Sequence, residues 1–423
     1  MNYKISEKEV LYRINNKYKK QKTISEYIRK ERLSQGLKQE LVCKDICSVS
    51  YYSRIESNKV IPSDIYIKKI FEKFKKPIPK IFNNEHTEEI KDNISNFLAA
   101  IEYKNDNSVL EEYNKLKRIP EVNYDLYKFI YRIYFKKIDH LKPLVLNLHQ
   151  QQIHFDNEEL LLYLDYLGSY YALNNEISNA DKYLSMALKL QKNMGVTKPS
   201  ILYRYAWILG KTNNNYQCIN YAEEADKIYT KNNNTYRSIQ CKMLIVIKMS
   251  KLFPKKAIEL YKNIILLCNH NQYSYFQKLC RYNLSILLKK SNHFNEAEKH
   301  FEKLLNDFSN DIIFTFKLYI EYIDLLYQLS KYNKAKIYYV KLKGLKLNSE
   351  SYNFYIKYYD CKLYNKCIKL KKAIYQNDLI PYAISTKSTS LELRLRKEYV
   401  LLLELTHNYK DAVIEYKIIM NLC

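Results

Sequence analysis

The sequence predicts an all-α protein, a small helical domain at the N-terminus followed by a long array of helical hairpins. Three observations carry this. Glycine and proline are scarce, 5 and 8 in 423 residues, far below the usage of turn-rich β proteins. Apolar residues make up 47% of the chain and recur at i, i+3, i+4 and i+7 rather than in alternation. Small residues also recur about every 39 positions over the last two thirds of the chain, the mark of a repeat architecture.

Residues 1–20 are charged, with Val10, Leu11 and Ile14 on one side, and are expected to form an extra helix. Residues 24–33 give the next helix, with Ile24, Ile28 and Leu33 inward. Gly36 to Ser63 then reads as two short helices joined by a tight turn and followed by a polar loop. Leu37, Leu41 and Val42 supply the apolar side of the first, and Ile46 sits in the turn. Ser48 is an N-cap for the second, whose buried side is Tyr52 and Ile55 and whose outer side carries Val49, Ser50, Ser53 and Arg54. Residues 63–74 place Ile67, Ile70, Phe71 and Phe74 on one helical face before the prolines of KKPIPK end the helix. The domain boundary is expected between Lys75 and about Glu85, giving a first domain of residues 1–80 and a second of 86–423.

The two short helices have the layout of a helix-turn-helix, with a recognition helix suited to a major groove. Gly36-Leu37, Gln39 and Leu41 before the turn, and Ser53-Arg54-Ile55-Glu56 after it, resemble the Cro/repressor-type domain. Ile46-Cys47, Ser53 to Ser57 and Pro62-Ser63 resemble more closely the DNA-binding domain of the peptide-responsive bacterial regulators, the RNPP (PlcR/PrgX/NprR-like) family. The resemblance implies a five-helix-type domain that contacts double-stranded DNA through Lys38, Gln39, Ser48, Val49, Ser50, Tyr51, Ser53, Arg54, Asn58 and Lys59. Gln39 would approach a phosphate and Arg54 a base edge, unless Arg54 is spent on an ion pair with Glu56.

Beyond the prolines, residues 160–188 carry Gly168, Tyr171, Ala180, Leu184 and Ala187 in the order and spacing of a tetratricopeptide repeat. The small position of the second helix recurs at Ala180, Cys218, Ala257, Ala297, Ala335 and Ala412, the last interval spanning two repeats with one degenerate between them. Tyr or Phe follows four residues later at Tyr261, Phe301, Tyr339 and Tyr416. Small residues let the two helices of a hairpin approach, and large ones fill the gap to the next hairpin. Residues 86–153 read as two divergent hairpins, which brings the array to about nine and predicts a right-handed tetratricopeptide-like superhelix with a concave inner face. Periods longer than the simplest repeat fit the same resemblance.

The formal charge is +25. A basic balance suits a polyanionic partner, but a composition rich in Lys, Asn, Ile and Tyr raises the charge without one. Local distribution is more informative: residues 1–80 hold 20 Lys and Arg against 9 Asp and Glu, so positive charge is densest where the helix-turn-helix lies. The 9 cysteines and 8 histidines lack paired ligand spacing, so reduced thiols are expected and no metal. No signal core opens the chain and no apolar run reaches the ~20 residues of a membrane helix, which points to the cytoplasm and away from a membrane partner. A phosphate-binding glycine loop, a nucleophile elbow and a catalytic constellation are lacking, so neither an enzyme nor a cofactor is expected.

The repeat frame places Tyr203, Trp207, Lys211, Lys242, Tyr282, Lys289, Asp324, Tyr327 and Gln328 on the inner side of successive first helices, where aromatic anchors and ammonium heads suit an extended peptide. The resemblance implies a transcription regulator of the quorum-sensing type. Its repeat domain would bind a short signalling peptide and hold a homodimer together. The alternative is a repeat-domain scaffold that sequesters a partner regulatory protein such as a response regulator, with DNA binding as a second activity.

Overall fold

A computed structural model describes residues 11–13, 24–57, 59–76, 78, 84–119, 122–152, 155–306, 311–364 and 367–422. Among them every regular element is a helix. The chain forms two compact units, Met1–Leu252 and Phe253–Cys423.

In the first unit, helices α1 (Ile24–Ser34), α2 (Gln39–Cys43), α3 (Val49–Glu56) and α4 (Asp64–Lys73) enclose a small core. It consists of Ile28, Val42, Cys43, Tyr52, Ile55, Ile70, Phe71 and Phe74, all buried, with Ile24, Leu37, Ile46 and Ile67 packed at its edge. Two leucines depart from expectation. Leu33 and Leu41 are each 55% exposed. The inner face of α1 runs Ile24, Ile28, Arg32 at i, i+4, i+8, so Leu33 is turned about 100° away. Helix α2 is too short to carry Leu37 and Leu41 in one register, because Leu37 precedes its cap; Val42 and Cys43 face the core instead. The helix expected for residues 1–20 lies mostly outside the described residues. Of its apolar side, Leu11 is exposed and Val10 and Ile14 are not described. Arg13 is fully buried and donates from Nη1 to the Phe155 carbonyl at 2.7 Å. The expected boundary region is largely outside the described residues as well.

The same unit continues with α5 (Asn84–Glu102), α6 (Asp106–Leu116), α7 (Tyr124–Tyr134), α8 (Lys142–Gln151), α9 (Asn157–Leu173), α10 (Ile177–Met194), α11 (Pro199–Lys211), α12 (Asn215–Lys231) and α13 (Thr235–Met249). Neighbouring helices pack as antiparallel pairs, α5 on α6, α9 on α10 and α11 on α12. The second unit holds α14 (Pro254–His270), α15 (Ser274–Lys290), α16 (Phe294–Asn306), α17 (Ile312–Gln328), α18 (Tyr332–Gly344), α19 (Glu350–Leu363), α20 (Ile368–Ile374), α21 (Ile380–Ser385), α22 (Thr389–Glu404) and α23 (Tyr409–Leu422).

The repeat frame is visible in the packing. Ala180, Cys218, Ala257, Ala297 and Ala335 are fully buried and Ala412 nearly so. Gly168 marks the closest approach: a Cβ there would stand 2.5 Å from Leu184 Cγ on the facing helix. Tyr261, Phe301 and Tyr339 are buried as expected, but Tyr416 is exposed and donates to Glu404. The degenerate repeat contains a π turn, Tyr375–Leu379, between α20 and α21. A π turn inserts one residue into the helical ladder, and Pro381, lacking an N–H, follows it. Ala373, just before the π turn, is half-buried, while Ala383, just after it, is fully buried.

A chain with few glycines turns its hairpins with asparagine. Asn175, Asn213, Asn233 and Asn292 have φ between 54° and 62°, the left-handed region that Asn tolerates better than other non-glycine residues. The residue after each closes back on the helix. Asn214 N–H reaches Leu209 O at 3.0 Å, Asn234 reaches Tyr229 O at 2.9 Å and His293 reaches Leu288 O at 2.9 Å, the Schellman arrangement that satisfies terminal carbonyls. Asn214 and Asn234 then cap the next helix with their side chains.

Candidate functional site

In the N-terminal domain, α3 is held at one end by Ser48, whose Oγ accepts from Tyr51 N–H at 3.2 Å, and by Asp45, which takes a left-handed φ of 66° in the turn from α2. Tyr52 and Ile55 anchor its inner face. Its last residue, Glu56, is buried and holds the domain together. Arg32 donates Nε to Oε1 at 2.6 Å and Nη2 to Oε2 at 2.9 Å, and Gln39 donates Nε2 to Oε2 at 2.6 Å. The third guanidinium nitrogen of Arg32 closes on Leu37 O at 2.8 Å. Three helices are thus tied at one carboxylate. Burial pushes the Glu56 carboxyl up, but the hydrogen bonds from Arg32 and Gln39 outweigh it and hold it below the usual carboxylate range.

This geometry bears on two expectations. Arg54 does not pair with Glu56, whose oxygens Arg32 and Gln39 occupy; Arg54 is exposed on the outer side of α3 with Val49, Ser50 and Ser53. Gln39 spends its amide on Glu56 rather than pointing freely outward. Lys38, Ser48 and Lys59 are exposed, and Tyr51 is half-buried with its ring 5.3 Å from that of Tyr66. Asn58 lies outside the described residues. The Arg32–Glu56 tie is the feature that sequence reading missed, since a spacing of 24 residues has no periodic signature.

The residues expected to face a peptide divide between the two units. In the first, Tyr203 and Trp207 stand on α11, half-buried. Trp207 packs against two core clusters, one of Ala180, Leu184 and Ile208 and one including Ala206, Cys218 and Ala222. Lys211, one turn on, lies 4.9 Å from the indole, a cation–π contact. Burial pushes the Tyr203 phenol up to about 12. Lys242 on α13 is engaged within the chain, bonded to both Asp226 oxygens at 2.7 Å and to Ser238 Oγ at 2.6 Å.

In the second unit, Tyr282 packs on Phe314 with ring centroids 5.2 Å apart, and Lys289 is ion-paired with Glu321. Asp324 accepts from Arg394 Nη1 at 3.2 Å and from Tyr359 Oη at 3.1 Å. Tyr327 lies under Lys362, 5.0 Å from the ring centroid. Gln328 is exposed. Lys242, Lys289 and Asp324 therefore make partnered contacts between neighbouring helices. The repeat frame identified which helices carry them but not that the helices spend these side chains on each other.

A different acidic group has no counterpart among the residues read as ligand-facing. Asp165 stands in the middle of the apolar run of α9 and is 2% exposed. Arg204 on α11 binds its Oδ2, and the Arg204 guanidinium lies 4.5 Å over the Tyr166 ring. A lone aspartate in LLLYLDYLGSYY was the available signal, since a buried charge demands a partner. Among the described residues, no cluster of three or more His, Cys, Asp or Glu is placed to hold a metal, and no helix is long and apolar enough to cross a membrane.

Comparison with known proteins matches residues 28–81 to a helix-turn-helix family. A curated relative, the transcriptional activator NprA of Geobacillus stearothermophilus, is 25% identical over 282 residues. That match covers 62% of this chain and 66% of the relative, so just under two thirds of the relative's length is spanned. Among solved structures, the apo form of the quorum sensor NprR from B. thuringiensis superposes with a TM-score of 0.67 at 15% identity, covering 79% of this chain and 99% of that one. NprR in complex with its cognate peptide NprX gives 0.54 at 18% identity over 76% and 98%. These likenesses establish the fold, a helix-turn-helix domain joined to tetratricopeptide-like repeats.

Proposed function

We propose that this chain, which belongs by its helix-turn-helix domain and tetratricopeptide-like repeats with the peptide-responsive RNPP-type regulators, is a DNA-binding transcription regulator controlled by a short signalling peptide. The observation that carries the reading is α3. Its outer side presents Val49, Ser50, Ser53 and Arg54 to solvent while its inner end is fixed by the Arg32–Glu56–Gln39 tie. A helix rigidly mounted on its buried face, with small and basic groups outward, is what major-groove readout requires. Lys38 and Lys59 would contact flanking phosphates.

The peptide would lie against the repeat helices, with Tyr203, Trp207 and Lys211 of the first unit as its principal contacts. NprR is a quorum sensor that has been solved with a cognate peptide, which supports this assignment by analogy of fold. The remaining groove residues, Tyr282, Tyr327 and Gln328, are proposed as secondary contacts within the second unit. The chain would act in the cytoplasm as a homodimer paired through its repeats, because one helix-turn-helix reads too short a site for most specific operators. Peptide control requires that the ligand prefer one conformation of the repeats over another.

Selection of genomic fragments on the purified full-length chain, followed by fluorescence anisotropy on the enriched sequence, tests the first half. A recurring two-fold motif bound in a salt-dependent manner is expected; retrieval of random fragments only would refute it. Mass spectrometry of ligand co-purified from the native host tests the second half. A short peptide that alters DNA affinity is expected, and a co-purifying partner protein with no peptide would favour a scaffold instead.

A further inference from the structure

Ahead of the DNA-binding domain, Leu11, Tyr12 and Arg13 are turned the opposite way from what their polarity suggests. Leu11 is 45% and Tyr12 56% exposed, while Arg13 is fully buried. Arginine is rarely buried, and goes under only where groups meet its charge and its donors. The guanidinium, not an apolar neighbour, fixes this segment.

Its place is the junction of α8 and α9, 142 positions further along the chain. Arg13 Nη1 donates to Phe155 O at 2.7 Å. Phe155 stands one residue before Asp156, the N-cap of α9, and the α9 ladder begins with Leu160 N–H on Asp156 O. The Phe155 carbonyl lies outside that ladder, and at a buried residue it needs a donor from elsewhere. Around it Gln152, Asn157 and Glu159 are buried. Asp156, Glu158 and Glu159 make the start of α9 acidic, which suits a cation. The junction is also firmly packed. The Phe155 ring meets Tyr163 edge-on, 5.6 Å between centroids, and Tyr163 Oη shares a hydrogen bond of 2.7 Å with His149 Nδ1 on α8.

The DNA-binding domain follows this anchor in the chain and precedes the repeats. Helix α1 begins at Ile24, eleven residues after Arg13, and such a lead spans at most about 40 Å. On the other side α4 ends at Lys73 and α5 begins at Asn84, again eleven residues on. Among the described residues, none of α1–α4 shares an extended packing surface with a repeat helix. The two leads, rather than a packed interface between these helices, connect the domain to the repeats.

We propose that Arg13 is a positioning residue of the DNA-binding domain. By pinning the first lead to the α8–α9 junction, it holds the domain to the repeats at both ends and limits where α3 can stand. The consequence for DNA rests on the regulator reading above; the two-ended attachment does not. A domain held by one lead sweeps the whole volume that lead allows, and a domain held by two keeps only the overlap. In a dimer reading two half-sites, the narrower range raises the effective concentration of the second recognition helix and penalises wrong spacings.

Two full-length variants test this. Arg13→Met removes the donor and keeps much of the bulk. An insertion of about ten glycine and serine residues after Lys20 lengthens the lead and leaves Arg13 in place. Amine cross-linking with mass spectrometry, without DNA, reads the attachment. Links from Lys38 and Lys59, both exposed, to repeat-domain lysines should spread over more partners in both variants, with links inside the repeats unchanged. Anisotropy on the operator enriched as above reads the consequence. Both variants should bind the two-fold site severalfold more weakly and a single half-site like the parent. Both should also lose the parent's preference for the native spacing over one lengthened by half a helical turn, about 5 bp. Arg13→Lys, which keeps a donor, should retain part of each property. The proposal is overturned if both variants cross-link like the parent, or if the parent is indifferent to spacing or the preference survives in both variants. It is equally overturned if Arg13→Met weakens the half-site as much as the two-fold site while the insertion changes nothing, the mark of a folding defect. If selection yields no DNA motif, the regulator reading fails, and the cross-links alone decide the anchor.

Discussion

Arg32 and Glu56 meet as a two-pronged ion pair, with N–O distances of 2.6 and 2.9 Å and both side chains largely buried. The pair joins the first helix of the DNA-binding domain to the last residue of its recognition helix. Removing one partner strands a buried charge, a loss that reaches several kcal/mol when burial is complete. Arg32→Ala should therefore destabilise the domain by roughly 2–4 kcal/mol, reduced from the fully buried limit because Arg32 keeps an edge in water. Denaturant titration monitored by helical signal would check it. A change within error would mean that the ion pair is not what holds the recognition helix.

The same carboxylate gives a pH dependence. The folded Glu56 carboxyl is held below its ordinary value, and so is that of Glu31, where hydrogen bonds from Lys76 and Gln35 overcome the upward push of burial. The stabilisation from such groups is complete above the usual carboxylate range and fades as pH falls through the lowered folded values. Denaturation midpoints of the DNA-binding domain should be flat around neutrality and drop in acid. In Glu56→Gln the acid drop should be shallower. A parent and variant with parallel acid profiles would rule out Glu56 as its source.

Because Arg32, not Arg54, neutralises Glu56, the two arginines should separate cleanly in experiment. Arg54 is exposed, so Arg54→Ala should leave the denaturation midpoint unchanged while costing roughly 1–3 kcal/mol of DNA affinity, the value of a bidentate base contact. Anisotropy on the selected operator at fixed salt measures it. Undiminished affinity in the folded variant would remove Arg54 from the readout surface.

The contrast between these arginines shows what a sequence can and cannot disclose. Helical periodicity placed Ile28, Tyr52, Ile55, Ile70 and Phe71 in the core, and the small-residue frame placed Ala180 through Ala412 at the helix contacts, because both signals repeat along the chain. The Arg32–Glu56 pair and the Asp165–Arg204 pair have no period. They depend on which two helices the fold brings together. Leu33 and Leu41 were misplaced for the opposite reason: helices of one to three turns do not extend far enough for period alone to fix their faces. On the repeat helices, the frame located Lys242, Lys289 and Asp324 on the right elements, but Asp226, Glu321 and Arg394, their partners, sit on helices read separately.

Two glycines test the repeat packing in opposite directions. A Cβ on Gly168 would stand 2.5 Å from the branch carbon of Leu184, which is itself fully buried. Gly168→Ala should force the α9–α10 pair apart and cost roughly 1–3 kcal/mol. Gly344, the last residue of α18, has no such neighbour within 4 Å. Gly344→Ala should be neutral or stabilise by up to about 1 kcal/mol through the unfolded chain. Thermal melts of the two variants should move apart; equal destabilisation would show that the close approach at Gly168 is not specific.

The chain has a single tryptophan, and its surroundings define what its fluorescence reports. Trp207 is packed between two buried clusters on one side and covered by Lys211 at 4.9 Å on the other. A peptide that reaches this part of α11 must displace the lysine from the indole or sandwich it, and either event changes the polarity around the ring. Titration with the co-purified peptide should therefore shift Trp207 emission, and Lys211→Gln should reduce the shift and weaken binding while leaving the fold intact, because Lys211 is exposed. Trp207→Ala is the harsher variant. It should weaken the peptide at least tenfold, about 1.4 kcal/mol or more, and also lower the melting temperature, since the ring fills space between core residues. Reading both variants together separates contact from packing. A peptide that alters DNA affinity while leaving the emission of the parent chain unmoved would place its binding site away from α11 and refute the assignment of Tyr203, Trp207 and Lys211.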